Sequence, residues 1–155
     1  MQSAPHDRQF LFRKQVYWLQ PPPKASNMNR PVSLNALLWT DALAALSVGL
    51  AVLAVKASLA GLFRLPESWL AFSSVVSLGY FPFSFYLARQ ENPARELVKL
   101  LAAANMAYAL VCAIIILVFY RSATLLGLGY LILEMLFVAT LAVLEWRKAE
   151  EKGLR

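Results

Sequence analysis

Residues 124–146 read TLLGLGYLILEMLFVATLAVLEW, a run that contains no lysine or arginine and carries two carboxylates, Glu134 near its middle and Glu145 at its end. About twenty apolar residues in a helix cross a hydrocarbon core of roughly 30 Å, and this run meets that length. A soluble core helix would alternate polar and apolar faces; here the apolar residues surround the axis. The stretch is predicted to be a membrane-spanning helix.

Three more runs of the same kind lie upstream. The first extends from about Leu34 to Ala60, the second from about Ser68 to Ala88, and the third from about Leu97 to Tyr120 within a helix opened by Asn92 as cap and Pro93 at its first position. The first run is too long for the core of a signal peptide and is followed by no small-residue cleavage pattern, so it is read as an uncleaved helix. Pro66 is tolerated in a first helical turn, where no backbone donor is needed. Pro82 lies inside the second span and cannot donate to the carbonyl of Leu78, which predicts a kink with Ser77 or Ser84 as local compensation. Strands of a membrane barrel would be about ten residues long with alternating polarity, unlike these continuous runs. The fold class is therefore all-α, an up-down four-helix bundle in a membrane, the short connections making neighbours antiparallel.

Composition agrees. Of 155 residues, 59% are hydrophobic and 15% charged, against about 45–50% and 25% in soluble domains. The net charge of +6 does not mark a nucleic-acid surface, because the basic residues flank the apolar runs, where anionic headgroups lie. Membrane lipid is the expected partner, and nucleic acid is not. Residues 1–33 form a polar tail with a basic and aromatic stretch from Phe10 to Leu19, read as a mobile segment or an interfacial anchor; Met28 is an alternative start. Residues 147–155 form a charged tail that prolongs the last helix by a turn or two. Twelve of the fifteen basic residues fall in the two tails and the loop between spans two and three, which places both termini in the cytoplasm by the positive-inside bias.

Cys112 is the single cysteine and His6 the single histidine, too few for a dithiol, a His/Cys zinc site or a bis-histidine haem. No cofactor or metal is expected, and no nucleophile–base pair or phosphate loop indicates catalysis. The informative groups are polar residues inside the spans, where a charge costs several kcal/mol. Glu134 lies ten residues into its span, ~15 Å deep, and must face the bundle, carry a proton or find a partner. Asn105 and Tyr108 share a face of the third helix with Cys112, and Gly127 shares a face with Glu134. Asp41 sits near the start of the first helix, where an interfacial carboxylate suits the helix dipole. Lys56 is expected to snorkel to the opposite surface. Together these predict a polar interior of Asn105, Tyr108 and Glu134, with Asp41 nearer the cytoplasmic mouth.

From Leu37 onward the chain resembles a group of small bacterial four-span membrane proteins with no assigned activity. The matching residues are Leu38-Trp39-Thr40-Asp41-Ala42-Leu43, Leu65-Pro66, Pro82, Ala94-Arg95, Asn105, Leu126-Gly127 and Leu144-Glu145-Trp146. The resemblance implies this topology in a bacterial inner membrane and no chemistry. Three functions stand as expectations. The first is a non-enzymatic structural or accessory protein, self-associating or assisting a partner membrane protein, with Ala102 to Ala104, Gly127 and Gly129 allowing close helix packing. The second is a proton-coupled transporter of small hydrophobic or cationic molecules using Glu134. The third is a lipid-modifying or lipophile-binding enzyme using Asn105, Tyr108 and Arg95.

Overall fold

The computed structural model describes residues 33–153; the tail from residue 1 to residue 32, with its expected anchor and alternative start, lies outside the described residues. Four helices follow one another: α1 (Leu34–Phe63), α2 (Glu67–Ala88), α3 (Arg95–Phe119) and α4 (Leu125–Gly153). Each holds a window apolar enough to cross a bilayer, and only 17% to 28% of each window is buried within the protein. Leu125, Leu117 and Leu133 stand at 87%, 72% and 70% exposure. An outer surface this apolar requires lipid as its solvent. The chain is a multi-pass membrane protein.

Local chemistry sets the helix ends. Ser33 caps α1, its hydroxyl accepting from the Ala36 amide. The same helix stops at Arg64, which takes a left-handed conformation with φ 52°, a position that glycine usually fills. Pro66 precedes α2, and its carbonyl accepts from the amides of Trp69 and Leu70. The structure departs from expectation at α3. That helix begins at Arg95 with Ala94 in extended backbone before it, so Asn92 and Pro93 belong to the connection rather than to the cap and first turn. α2 remains one helix through Pro82, and the Ser84 hydroxyl bonds across to α1 instead of serving the carbonyl of Leu78.

The helices alternate in direction. The start of α1 and of α3 meets the end of α2 and of α4, as contacts of Asp41 with Ser84 and of Asn105 with Glu145 show. We call this the lower end. α1 packs along α2 and α3 along α4; α1 also meets α4, whereas the backbones of α2 and α3 seldom come close. The bundle is thus two hairpins joined mainly through α1 and α4. Leu38, Leu87, Ala88 and Leu101 form an apolar cluster at the lower end. Val52, Leu65, Trp69, Leu70, Cys112 and Leu131 form another toward the upper end. Between the two lies a polar level.

At the upper end the start of α4 is fastened to the end of α1. The Thr124 amide donates to the Phe63 carbonyl at 2.9 Å, and its hydroxyl donates to the Leu62 carbonyl at 3.0 Å while accepting from the Gly127 amide. A Cβ at Gly127 would stand 2.5 Å from the Phe63 carbonyl oxygen, so glycine permits this approach. Lys56 is not a lone snorkelling cation: it pairs with Glu67 across the α1–α2 turn. Gly127→Ala is expected to destabilise the protein by about 1–3 kcal/mol, whereas Gly129→Ala, with nothing within 4 Å of the added carbon, should be neutral or stabilising by up to ~1 kcal/mol. Thermal unfolding of both variants in detergent checks the contrast.

Candidate functional site

Each helix delivers polar side chains to the level between the apolar clusters, and they form two networks. In the lower one, Asp41 of α1 is 6% exposed and Asn105 of α3 is 5% exposed, while Ser84 of α2 and Glu145 of α4 are fully buried. The Ser84 hydroxyl donates to Asp41 Oδ2 at 2.5 Å. The Asn105 amide nitrogen donates to Asp41 Oδ1 at 3.4 Å and to Glu145 Oε2 at 3.3 Å. One amide therefore bridges two carboxyl groups, and all four helices meet in one hydrogen-bonded set. Glu145 Oε1 is buried without a hydrogen-bond partner.

The second network lies a turn higher on α3. The Tyr108 hydroxyl donates to Glu134 Oε1 at 2.8 Å, and Glu134 Oε2 is buried and makes no hydrogen bond of ordinary geometry. Tyr130, one turn before Glu134 on α4, has a buried hydroxyl that likewise makes none yet lies close enough to the Glu134 carboxyl and to Ser73 for weak ones.

Both networks border one cavity of about 380 Å³, with Asp41, Tyr80, Asn105, Tyr108, Tyr130 and Glu134 in its wall. The rest of the wall is mainly aliphatic or aromatic, from α1, α2 and α4. Val48 of α1 and Leu133 and Phe137 of α4 line it too and are 41%, 70% and 43% exposed. The cavity consequently opens sideways between α1 and α4, onto the lipid-facing surface. Its volume falls in the range of small-molecule sites, and its make-up, apolar walls with a few convergent polar groups, is typical of them.

All four candidate residues from the sequence border this cavity, but not as one group. Tyr108 and Glu134 are partners, whereas Asn105 turns to Asp41 and Glu145. Asp41 is buried and bonded to two other helices. Glu145 was passed over because it stands at the end of the expected span. Its signal was the spacing: eleven residues from Glu134 is three helical turns, which puts both carboxyls on one face of α4. Arg95 is exposed at the start of α3, ten residues or ~15 Å of helix below Asn105, and does not line the cavity. Among the described residues no cluster of three His, Cys, Asp or Glu side chains is placed to hold a metal ion.

No protein-family model, curated protein or solved structure matches the chain.

The bridging amide should matter more than the tyrosine. Asn105→Ala leaves two buried carboxyl groups without their common donor and is expected to cost about 2–3 kcal/mol. Tyr108→Phe removes one intramembrane hydrogen bond and should cost about 0.6 kcal/mol, seldom beyond 2. Denaturant titration of the two variants in mixed micelles measures the difference; equal losses would contradict the bridging role.

Proposed function

We propose that the chain is a membrane carrier for small lipophilic cations, which it takes from the bilayer and binds beside Glu134. The observation that supports this is the placement of the Glu134 side chain in the wall of the cavity, with a second carboxyl oxygen that is covered but makes no hydrogen bond of ordinary geometry. A buried carboxylate oxygen attracts a positive charge strongly where the dielectric is low. Tyr80, Tyr108 and Tyr130 add aromatic faces that favour a cation. The aliphatic remainder suits the apolar body of such a ligand, and the opening between α1 and α4 suits entry from lipid. A polar solute would gain little from these walls.

A purely structural role for Glu134 calls for a carboxyl sealed by side-chain packing; its second oxygen is covered, but the residue stands in the wall of the cavity, where a small shift would uncover it. Self-association through glycine loses one of its supports, because Gly127 is occupied by the internal contact with Phe63. A lipid-modifying enzyme would need Arg95 near Asn105 and Tyr108, and the fold keeps it away.

The location belongs to the same proposal. The basic bias of the tails and of the loop between α2 and α3 supports an orientation with both termini cytoplasmic; the bacterial inner membrane rests on the resemblance alone. Fusions of a cytoplasmic reporter to each end should both be active; activity from opposite compartments would refute this orientation.

Radiolabelled tetraphenylphosphonium is a suitable probe of the cavity. Purified protein in detergent is expected to bind it saturably, and Glu134→Gln should weaken binding about ten-fold or more, equivalent to at least ~1.4 kcal/mol. Absence of saturable binding, or an unchanged affinity in Glu134→Gln, would remove the proposal.

A further inference from the structure

We infer that Asp41 and Glu145, bridged by Asn105, form a second site that holds one exchangeable monovalent cation and is coupled to the cavity through Asp41. The inference begins with a count of hydrogen bonds. Asp41 and Glu145 together present four carboxyl oxygens. Three protein donors reach them: the Ser84 hydroxyl and the two N–H bonds of the Asn105 amide. Glu145 Oε1 is left over, on a side chain that is fully buried. A buried, unpartnered carboxylate oxygen is among the costliest groups a protein can hold.

Among the described residues no protein cation answers it. The ion pairs among the described residues are Lys56–Glu67 near the upper end and Lys148–Glu151 on the outer face of α4; neither touches the quartet. The groups that face the pair are Ser84 and Tyr80 on α2 and Asn105 on α3, all neutral. The missing partner is therefore a mobile positive charge. A divalent ion asks for six or more oxygens, and one uncommitted oxygen does not suit it. A single positive charge does. A proton supplies that charge by bonding to the one uncommitted oxygen; sodium, which like a divalent ion gathers several oxygens, supplies it only by sharing those that Ser84 and Asn105 already reach.

The position of the quartet gives this site its use. Asp41 and Asn105 border the cavity, whereas Ser84 and Glu145 stand behind them and do not. Asp41 thus belongs to both places. A cationic ligand that engages Asp41 from the cavity side removes negative charge from the pair and weakens its hold on the second cation. Linkage makes the effect reciprocal: the bound cation weakens the ligand by the same factor. Exchange of one cation for another follows. This coupling rests on the cavity reading above, whereas the cation site itself does not.

The test has two arms on the purified full chain without ligand, and a third with it. Thermal stability is followed against pH at constant sodium, and against sodium chloride, with choline chloride as the control, at constant pH. Wild type is expected to respond to one of the two cations, which identifies the occupant, and Glu145→Gln should abolish that response. Gln keeps the acceptor and brings its own donor, so the variant is expected to fold; Asp41→Asn serves as the second variant. In the third arm the identified cation, raised to saturation, should weaken tetraphenylphosphonium binding by about five-fold or more in wild type and not in Glu145→Gln. A wild type indifferent to both cations, or a response unchanged in both variants, overturns the cation site. Ligand binding that ignores the cation overturns the coupling alone. Loss of the ligand arm with a retained cation response faults the cavity reading and leaves this site standing.

Discussion

A carboxyl group within the thickness of a bilayer has no water to bond to, and helices cannot offer it their own amides. Each donor must come from a side chain on some helix. In this protein that requirement ties the bundle together at its centre. Asp41, Ser84, Asn105 and Glu145 come one from each helix, and the Asn105 amide holds two of them at once. Lipid supplies little driving force to bring apolar helices together, so hydrogen bonds of this kind have an outsized part in fixing which helices are neighbours and at what height. The apolar clusters above and below then pack around a level already in register.

The same constraint explains why the bundle is not filled. Side chains that meet around polar groups cannot also interdigitate as a hydrocarbon core does. The backbones of α2 and α3 stay apart, and space is left beside Tyr108 and Glu134. At the upper end, by contrast, Thr124 and Gly127 bring α4 directly against the backbone of α1. The molecule is therefore closed and tight above, cross-linked below, and open to lipid between. Ligand entry at the open middle would leave both anchored ends undisturbed.

Helix number and direction were legible in the sequence, because runs such as 124–146 are too long and apolar to have another solvent. The polar residues at the heart of the molecule were legible too, since Asn105 and Glu134 stand out against such a background. Their pairing was not. Asn105 and Tyr108 are neighbours on α3, yet one faces Asp41 and Glu145 and the other Glu134, a division set by the heights of three other helices. Glu145 looked like the end of a span because Trp146 and Arg147 follow it. The helix runs on to Gly153, the turn or two by which the charged tail is expected to prolong it, and Glu145 is turned inward, three turns below Glu134. Asn92-Pro93 carried a strong start signal, but the extended backbone of Ala94 delays the helix to Arg95.

The convergence of side chains from separate helices on Asn105 is the feature from which the packing, the cavity and the cation site all follow. Solid-state NMR of the protein in lipid bilayers can examine it directly, by dipolar recoupling between the labelled Asn105 side-chain nitrogen and labelled Asp and Glu carboxyl carbons. With nitrogen–oxygen distances of 3.4 Å to Asp41 and 3.3 Å to Glu145, strong coupling to one Asp and one Glu carboxyl carbon is expected. The Asp signal should vanish in Asp41→Asn and the Glu signal in Glu145→Gln. Coupling to neither carbon, or to a carboxyl that survives both substitutions, would contradict the account.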